Sequence, residues 1–205
     1  LVPYGVPPLL SFLCAAFLSL YVLVLERNRP ESVPFSLICF CYAMLNLDIT
    51  LVGIVPDREV ALEISRVDHF FLVLVMLGAN FHLMFKVIGR KKGWYLVWGA
   101  YVFGACMAPL TQTNWYFDGM HAYYWGYFAK KAVLYDFMSA LWLVGTLYAA
   151  YVMFVKFRGQ KAAGRRTMRN VISAFIFLAF MSLTNTPAIY GYEIYPLGTF
   201  VFVPL

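Results

Sequence analysis

Asp48, His69, Asp136 and Asn185 are the residues of this chain whose type and setting point to chemistry, because each stands inside or at the edge of a long apolar run. A lone carboxylate at the middle of a membrane span costs on the order of 2.5–3.5 kcal/mol on insertion scales, so it faces the bundle interior and finds a partner there. Around Asp48, the residues Tyr42, Asn46, Thr50 and Gly53 form a stripe at helical spacing, so one side of that run meets protein or water rather than lipid. Arg66, His69, Val73, Met76 and Asn80 follow the same 3-4 spacing on the next run, and Asp136, Ser139, Leu143 and Thr146 follow it on a later one. Four polar groups from four helices at similar depth predict a cavity at one end of the bundle, with Asp48, Asn46, His69, Asp136 and Asn185 as ligand-binding residues. A hydrogen-bond network that only fixes helix packing is the alternative from the same residues.

Other chemistry finds little support. His69 and His82 are 13 residues apart, about 19.5 Å on a helix rising ~1.5 Å per residue. That resembles the spacing of two haem ligands, but His121 is the only further His and each haem wants a second axial ligand. A retinal Schiff base needs a lysine in the bundle, and none stands in the visible part of the last run. Cys14, Cys39, Cys41 and Cys106 form no CxxC and sit in apolar runs, which reads as helix packing rather than a metal site. No nucleophile–base set, GxGxxG or P-loop pattern is present. The expectation is therefore no enzyme activity in this chain, no cofactor and no metal.

The elements that hold these residues are set by composition. The chain is 62% hydrophobic, 19% aromatic and 13% charged, with mean hydropathy +0.72, where a soluble domain would be roughly a quarter charged. The fold class expected is all-α, a polytopic transmembrane helix bundle over residues 1–205 as a single domain. The runs are about Val6–Leu25, Val33–Val55, Ser65–Ile88, Trp94–Leu110, Ala132–Phe157 and Met168–Ala188, with a truncated seventh begun near Ile194. Six complete spans and part of a seventh follow, and the chain reads as a fragment.

Charge orients the bundle. Of 16 Lys and Arg, twelve fall in the connectors after the first, third and fifth runs: Arg27, Arg29; Lys86, Arg90, Lys91, Lys92; Lys156, Arg158, Lys161, Arg165, Arg166, Arg169. Short basic loops stay cytoplasmic, which places the N-terminus outside. The net charge of +6 belongs to helix ends facing lipid headgroups, so membrane lipids are the expected partner and nucleic acid is not. The long loop 111–131 carries Trp115, Tyr116, Phe117, Tyr123, Tyr124, Trp125, Tyr127 and Phe128 around the turn pair Asp118-Gly119. It reads either as a β-hairpin lid over the outer mouth, with Trp125 as a further ligand contact, or as an interfacial aromatic belt.

Asp68-His69-Phe70-Phe71, Tyr123-Tyr124-Trp125-Gly126-Tyr127 and the passage from Asn185-Thr186-Pro187 through Gly191 to Tyr195-Pro196-Leu197-Gly198 resemble the histidine-kinase N-terminal seven-helix membrane region. The resemblance spans most of the chain and is specific from about Ser65 onward. It implies a sensory module of the bacterial inner membrane that relays a small or lipophilic stimulus through helix seven to a cytoplasmic kinase, nucleotide cyclase or phosphatase. It implies a homodimer or larger membrane assembly, and it carries no catalytic residue over. Ala100, Gly104 and Ala108, at fourfold spacing, are the expected dimer face. The rival expectation is a non-enzymatic accessory subunit of a respiratory or photosynthetic membrane complex.

Overall fold

Apolar runs separated by short polar connectors fold back and forth, and the computed structural model describes them over residues 3–89, 92–158, 169, 172–173, 176–177 and 179–200. The chain is mostly helical. The helices α1 (Val6–Leu25), α2 (Ser32–Val52), α3 (Arg58–Val87) and α5 (Val133–Arg158) are long and apolar enough to cross a membrane. These four make it a multi-pass candidate. Alternation of direction puts residues 26–31, 88–89 and 92–93 at one end, and residues 53–57 and 108–132 at the other.

The expected six complete spans are not found among the described residues. The fourth run forms α4 (Trp94–Met107), whose 14 residues rise about 21 Å at ~1.5 Å each, short of a ~30 Å hydrocarbon core. It tightens into a 3-10 helix at Ala108–Gln112, where Pro109 lacks the N–H that the next α-helical bond would need. In the sixth run 168, 170–171, 174–175 and 178 lie outside the described residues; 169, 172–173, 176–177 and 179–183 are helical, Thr184 and Asn185 turn, and one further turn follows at Thr186–Ile189. No seventh helix starts at Ile194: residues 192–196 have no regular structure and Leu197–Phe200 is a 3-10 turn.

The third run also begins earlier than expected. Asp57 caps α3, its Oδ1 accepting from the Glu59 and Val60 amides at 2.8 and 3.1 Å, and Glu59 suits the positive helix start. Residues 58–64, which fall between the second and third apolar runs, are thus the first turns of a 30-residue helix.

Helix α3 is the centre of the fold, packed against α2, α4 and α5. Small residues allow this. A Cβ on Gly104 of α4 would stand 2.6 Å from the Leu74 carbonyl oxygen of α3, and one on Gly78 would stand 2.4 Å from the Tyr101 ring. Ala100, Gly104 and Ala108 are buried by this packing, so the face expected to join two copies is used within the chain. Helix α1 packs on α2 through a reciprocal serine clasp: Ser19 Oγ donates to the Ser36 carbonyl at 3.0 Å, and Ser36 Oγ donates to the Ser19 carbonyl at 2.9 Å. Polar glue of this kind suits a helix pair in lipid, where burying apolar surface drives nothing. Leu13, Phe17, Leu20 and Val24 line the opposite, open side of α1.

Between α4 and α5 the chain forms a hairpin of β1 (Phe117–Tyr123) and β2 (Gly126–Lys131), paired antiparallel. Its turn is Tyr124-Trp125, with Tyr123 opposite Gly126, and not the expected Asp118-Gly119. That pair sits instead in a register irregularity between Phe117 and Met120, where Gly119 has φ +122°.

Candidate functional site

The hairpin is fixed over one end of the bundle by bonds to α3, to the α2–α3 connection and to residue 188. Arg58 Nη2 donates to the Met120 carbonyl at 2.7 Å, and Arg66 Nη2 donates to the Phe117 carbonyl at 3.2 Å and to Asn114 Oδ1. Tyr123 Oη donates to the Ala188 carbonyl at 2.6 Å and Tyr127 Oη to that of Pro56 at 3.2 Å. Gly126 lies so close to the α2–α3 connection that a Cβ there would come within 2.5 Å of Gly53 Cα. Burial raises the Tyr116 phenol well above its ordinary range, so it stays neutral beneath the hairpin.

Below the hairpin is a cavity of about 180 Å³ between α2, α3, α5 and residues 182–189, with Tyr116, Phe128 and Ala129 as its roof. The lid reading of the loop therefore describes these inward residues. Trp115 and Tyr124, 76% and 61% exposed, face outward as an aromatic belt would. The cavity lining includes Asp48, Asn46, His69 and Asn185, four of the residues singled out in the sequence. They come together because 42, 46 and 49 share a face of α2, while 65, 69, 72, 73 and 76 share one of α3.

Two candidates lie elsewhere. Asp136, in the first turn of α5, turns to the rim, where its carboxylate accepts from Lys131 Nζ and from Tyr190 Oη at 2.6 Å. This bond holds the Lys131 ammonium above its ordinary range. Trp125 is buried at the hairpin tip, stacked on Tyr123 at 4.5 Å and edge-on to Tyr195 at 5.7 Å, and packs with Ile49, Phe128, Ala188 and Ile189. It anchors the roof and does not line the cavity.

The polar centre also contains residues the sequence stripes did not single out. Ser65 Oγ donates to Asp48 Oδ1 at 2.8 Å, joining α2 to α3. The Ser65 carbonyl accepts from His69 Nδ1 at 2.9 Å, which puts the ring proton on Nδ1 and leaves Nε2 with its lone pair. Asp68, 3% exposed, has no hydrogen-bond partner for either carboxylate oxygen, and its Oδ2 lies 3.9 Å from His69 Nδ1. Ser65, Asp68 and His69 share one helix face through i, i+3 and i+4 spacing, a signal present in the sequence beside the stripe through Arg66. Arg66 itself is committed to the hairpin. Among the described residues, no Lys or Arg forms an ion pair with Asp48 or Asp68.

Deeper in the cavity, Tyr42 Oη and Ser182 Oγ lie 3.1 Å apart. Asn46 Nδ2 donates to the Tyr42 carbonyl at 2.8 Å while its Oδ1, like that of Asn185, has no partner. The arrangement can take a molecule with a polar or cationic end against an otherwise apolar wall. The chain matches no protein-family model, no curated protein and no solved structure.

Proposed function

We propose that the chain is a sensory module of the bacterial inner membrane, of the histidine-kinase N-terminal seven-helix type, that binds a small or lipophilic ligand in the cavity below the hairpin. In this reading the N-terminus and the hairpin face outward, the basic connectors face the cytoplasm, and the C-terminal end leads inward to an effector. The module acts as a dimer, through a face other than the one α4 buries on α3.

One observation supports this reading above the rest: the cavity is lined by polar groups that lack partners, Asn46 Oδ1 and Asn185 Oδ1, under a roof bound to three separate elements. A network serving only helix packing would satisfy its own members, because unpaired buried polar groups cost about 1–3 kcal/mol each. A ligand that repairs them in one arrangement of α2, α3 and residues 182–189 more than in another shifts the balance between the two by its differential affinity. The test is hydrogen exchange on the full chain in lipid nanodiscs against lipophilic extracts of its host's growth medium. Slowed exchange confined to the hairpin and residues 182–189, lost in Asn46→Leu, is the expected result. Single-cysteine labelling that put 159–168 outside would overturn the orientation.

A further inference from the structure

Asp48 and Asp68 are 7% and 3% exposed, and one carboxylate oxygen of each and one ring nitrogen of His69 lie within 4.8 Å of one another. Two carboxylates held this close in a low-dielectric interior repel unless something neutralises them, and no neighbouring Lys or Arg among the described residues does so. The serine that bonds Asp48 occupies one oxygen, Oδ1. Among the described residues, neither oxygen of Asp68 has a hydrogen-bond partner. Asn46, 4% exposed and on the adjacent wall, presents a further unpartnered oxygen to the same cavity.

We infer that Asp48, Asp68 and His69 form a binding site for a divalent transition-metal ion of the zinc–manganese class, reached from the cavity. The donor set fits that class. Two carboxylates and one imidazole combine hard oxygen with borderline nitrogen, which suits Zn²⁺, Mn²⁺ or Fe²⁺; Mg²⁺ and Ca²⁺ favour all-oxygen sites and Cu⁺ favours sulfur. The charges also balance, since two ionised carboxylates and a neutral imidazole cancel one 2+ ion. Metal–ligand bonds of about 2.1 Å put ligand atoms at most ~4.2 Å apart, so carboxylate rotation closes the set. The bond from Nδ1 to the Ser65 carbonyl fixes the ring, so Nε2, which keeps its lone pair, is the nitrogen that would bind the ion. Remaining positions would face the cavity.

This site rests on the cavity being a ligand site, and does not need the relay to an effector. The experiment is titration of Co²⁺ into the chelator-stripped full chain in nanodiscs, followed by visible absorption and by competition with Zn²⁺. One saturable ion per chain is expected, with affinity lowered at least tenfold in Asp68→Asn and in His69→Gln and unchanged in Asp136→Asn. Pulsed EPR of Mn²⁺ on the unmutated chain should show one imidazole nitrogen coupled to the ion, a readout that needs no variant to fold. No saturable binding of Co²⁺, Zn²⁺ or Mn²⁺ below millimolar, or equal affinity in the folded variants, would overturn the site. Binding without any effect on an effector's output would sink the sensory reading and leave the metal site standing. A lipophilic ligand that protects the cavity while metals do not bind would do the reverse.

Discussion

Asp48 and Asp136 look alike in sequence, each a single carboxylate in an apolar run that carries a helical polar stripe, yet the fold treats them oppositely. Asp136 sits at the rim with an ammonium and a phenol on its oxygens, and its surroundings are partly open. Asp48 is sealed between two helices with a serine on one oxygen and a second acid close by. The rim acid was given its partners by a neighbouring strand end and the loop after the sixth run. The interior acid was given another acid. Helical spacing identifies a face, but whether that face is wet, paired or starved depends on which connector closes over it.

The sharpest way to break this contrast is to lift the roof. Gly126 has φ +132° and no room for a Cβ beside Gly53, so Gly126→Val should undock the hairpin, at a cost of about 3 kcal/mol from strain and overpacking together. Water would then reach Asp48, and the two acids would become alike. Exchange of the β1 and β2 amides with the helices still protected is the expected outcome, and an unchanged hairpin would mean the roof does not define the interior. Next in size is Arg66→Met, which leaves the Phe117 carbonyl and Asn114 without their buried donor; about 2 kcal/mol of thermal stability should go. Asp136→Asn should be nearly silent in thermal denaturation, and any effect should fade in high salt, because an exposed pair is screened and gains little. A large, salt-insensitive loss there would erase the distinction between rim and interior.

Much of this was legible in the chain, and the exceptions have physical causes. Apolar length placed α1, α2, α3 and α5 because hydropathy is a bulk property that survives ignorance of contacts. The residues Asp48, Asn46, His69 and Asn185 were legible as one cavity because helical stripes keep their geometry through packing. Asp57 as a cap was not, since an Asp among Pro56, Arg58 and Glu59 reads equally as loop; only the bonds to the following amides distinguish them. The hairpin turn was misplaced because Asp-Gly is a strong turn signal, while the aromatic tip Tyr124-Trp125 is held by tertiary burial of Trp125. The Ala100–Ala108 face was read correctly as a site of close backbone approach, but sequence cannot say whether the approaching helix belongs to the same chain.

The smallest effect concerns His121, on β1 outside the helices, and its sign can be worked out. Burial is the main influence and lowers its pKa below the ordinary 6.5; the bond to the Ile189 backbone opposes this, and the nearby Lys130 and Arg58 add to it. The ring lies against Gly191, where an added Cβ would sit 3.2 Å from it, and stacks on Tyr123, so the docked hairpin favours the neutral form. Above about pH 6.5 both docked and undocked states are neutral here and the residue adds nothing. As pH falls below that value the undocked ring takes a proton that the docked ring resists, and docking weakens until the lower docked pKa is passed. Hairpin amides should therefore exchange faster at pH 5.5 than at pH 7.5 once the intrinsic rate is divided out, and His121→Gln should flatten that ratio. Asp136 beside its lysine works in the same sense over a lower pH range, so the two variants should separate a roof labile in mild acid from a salt-labile rim.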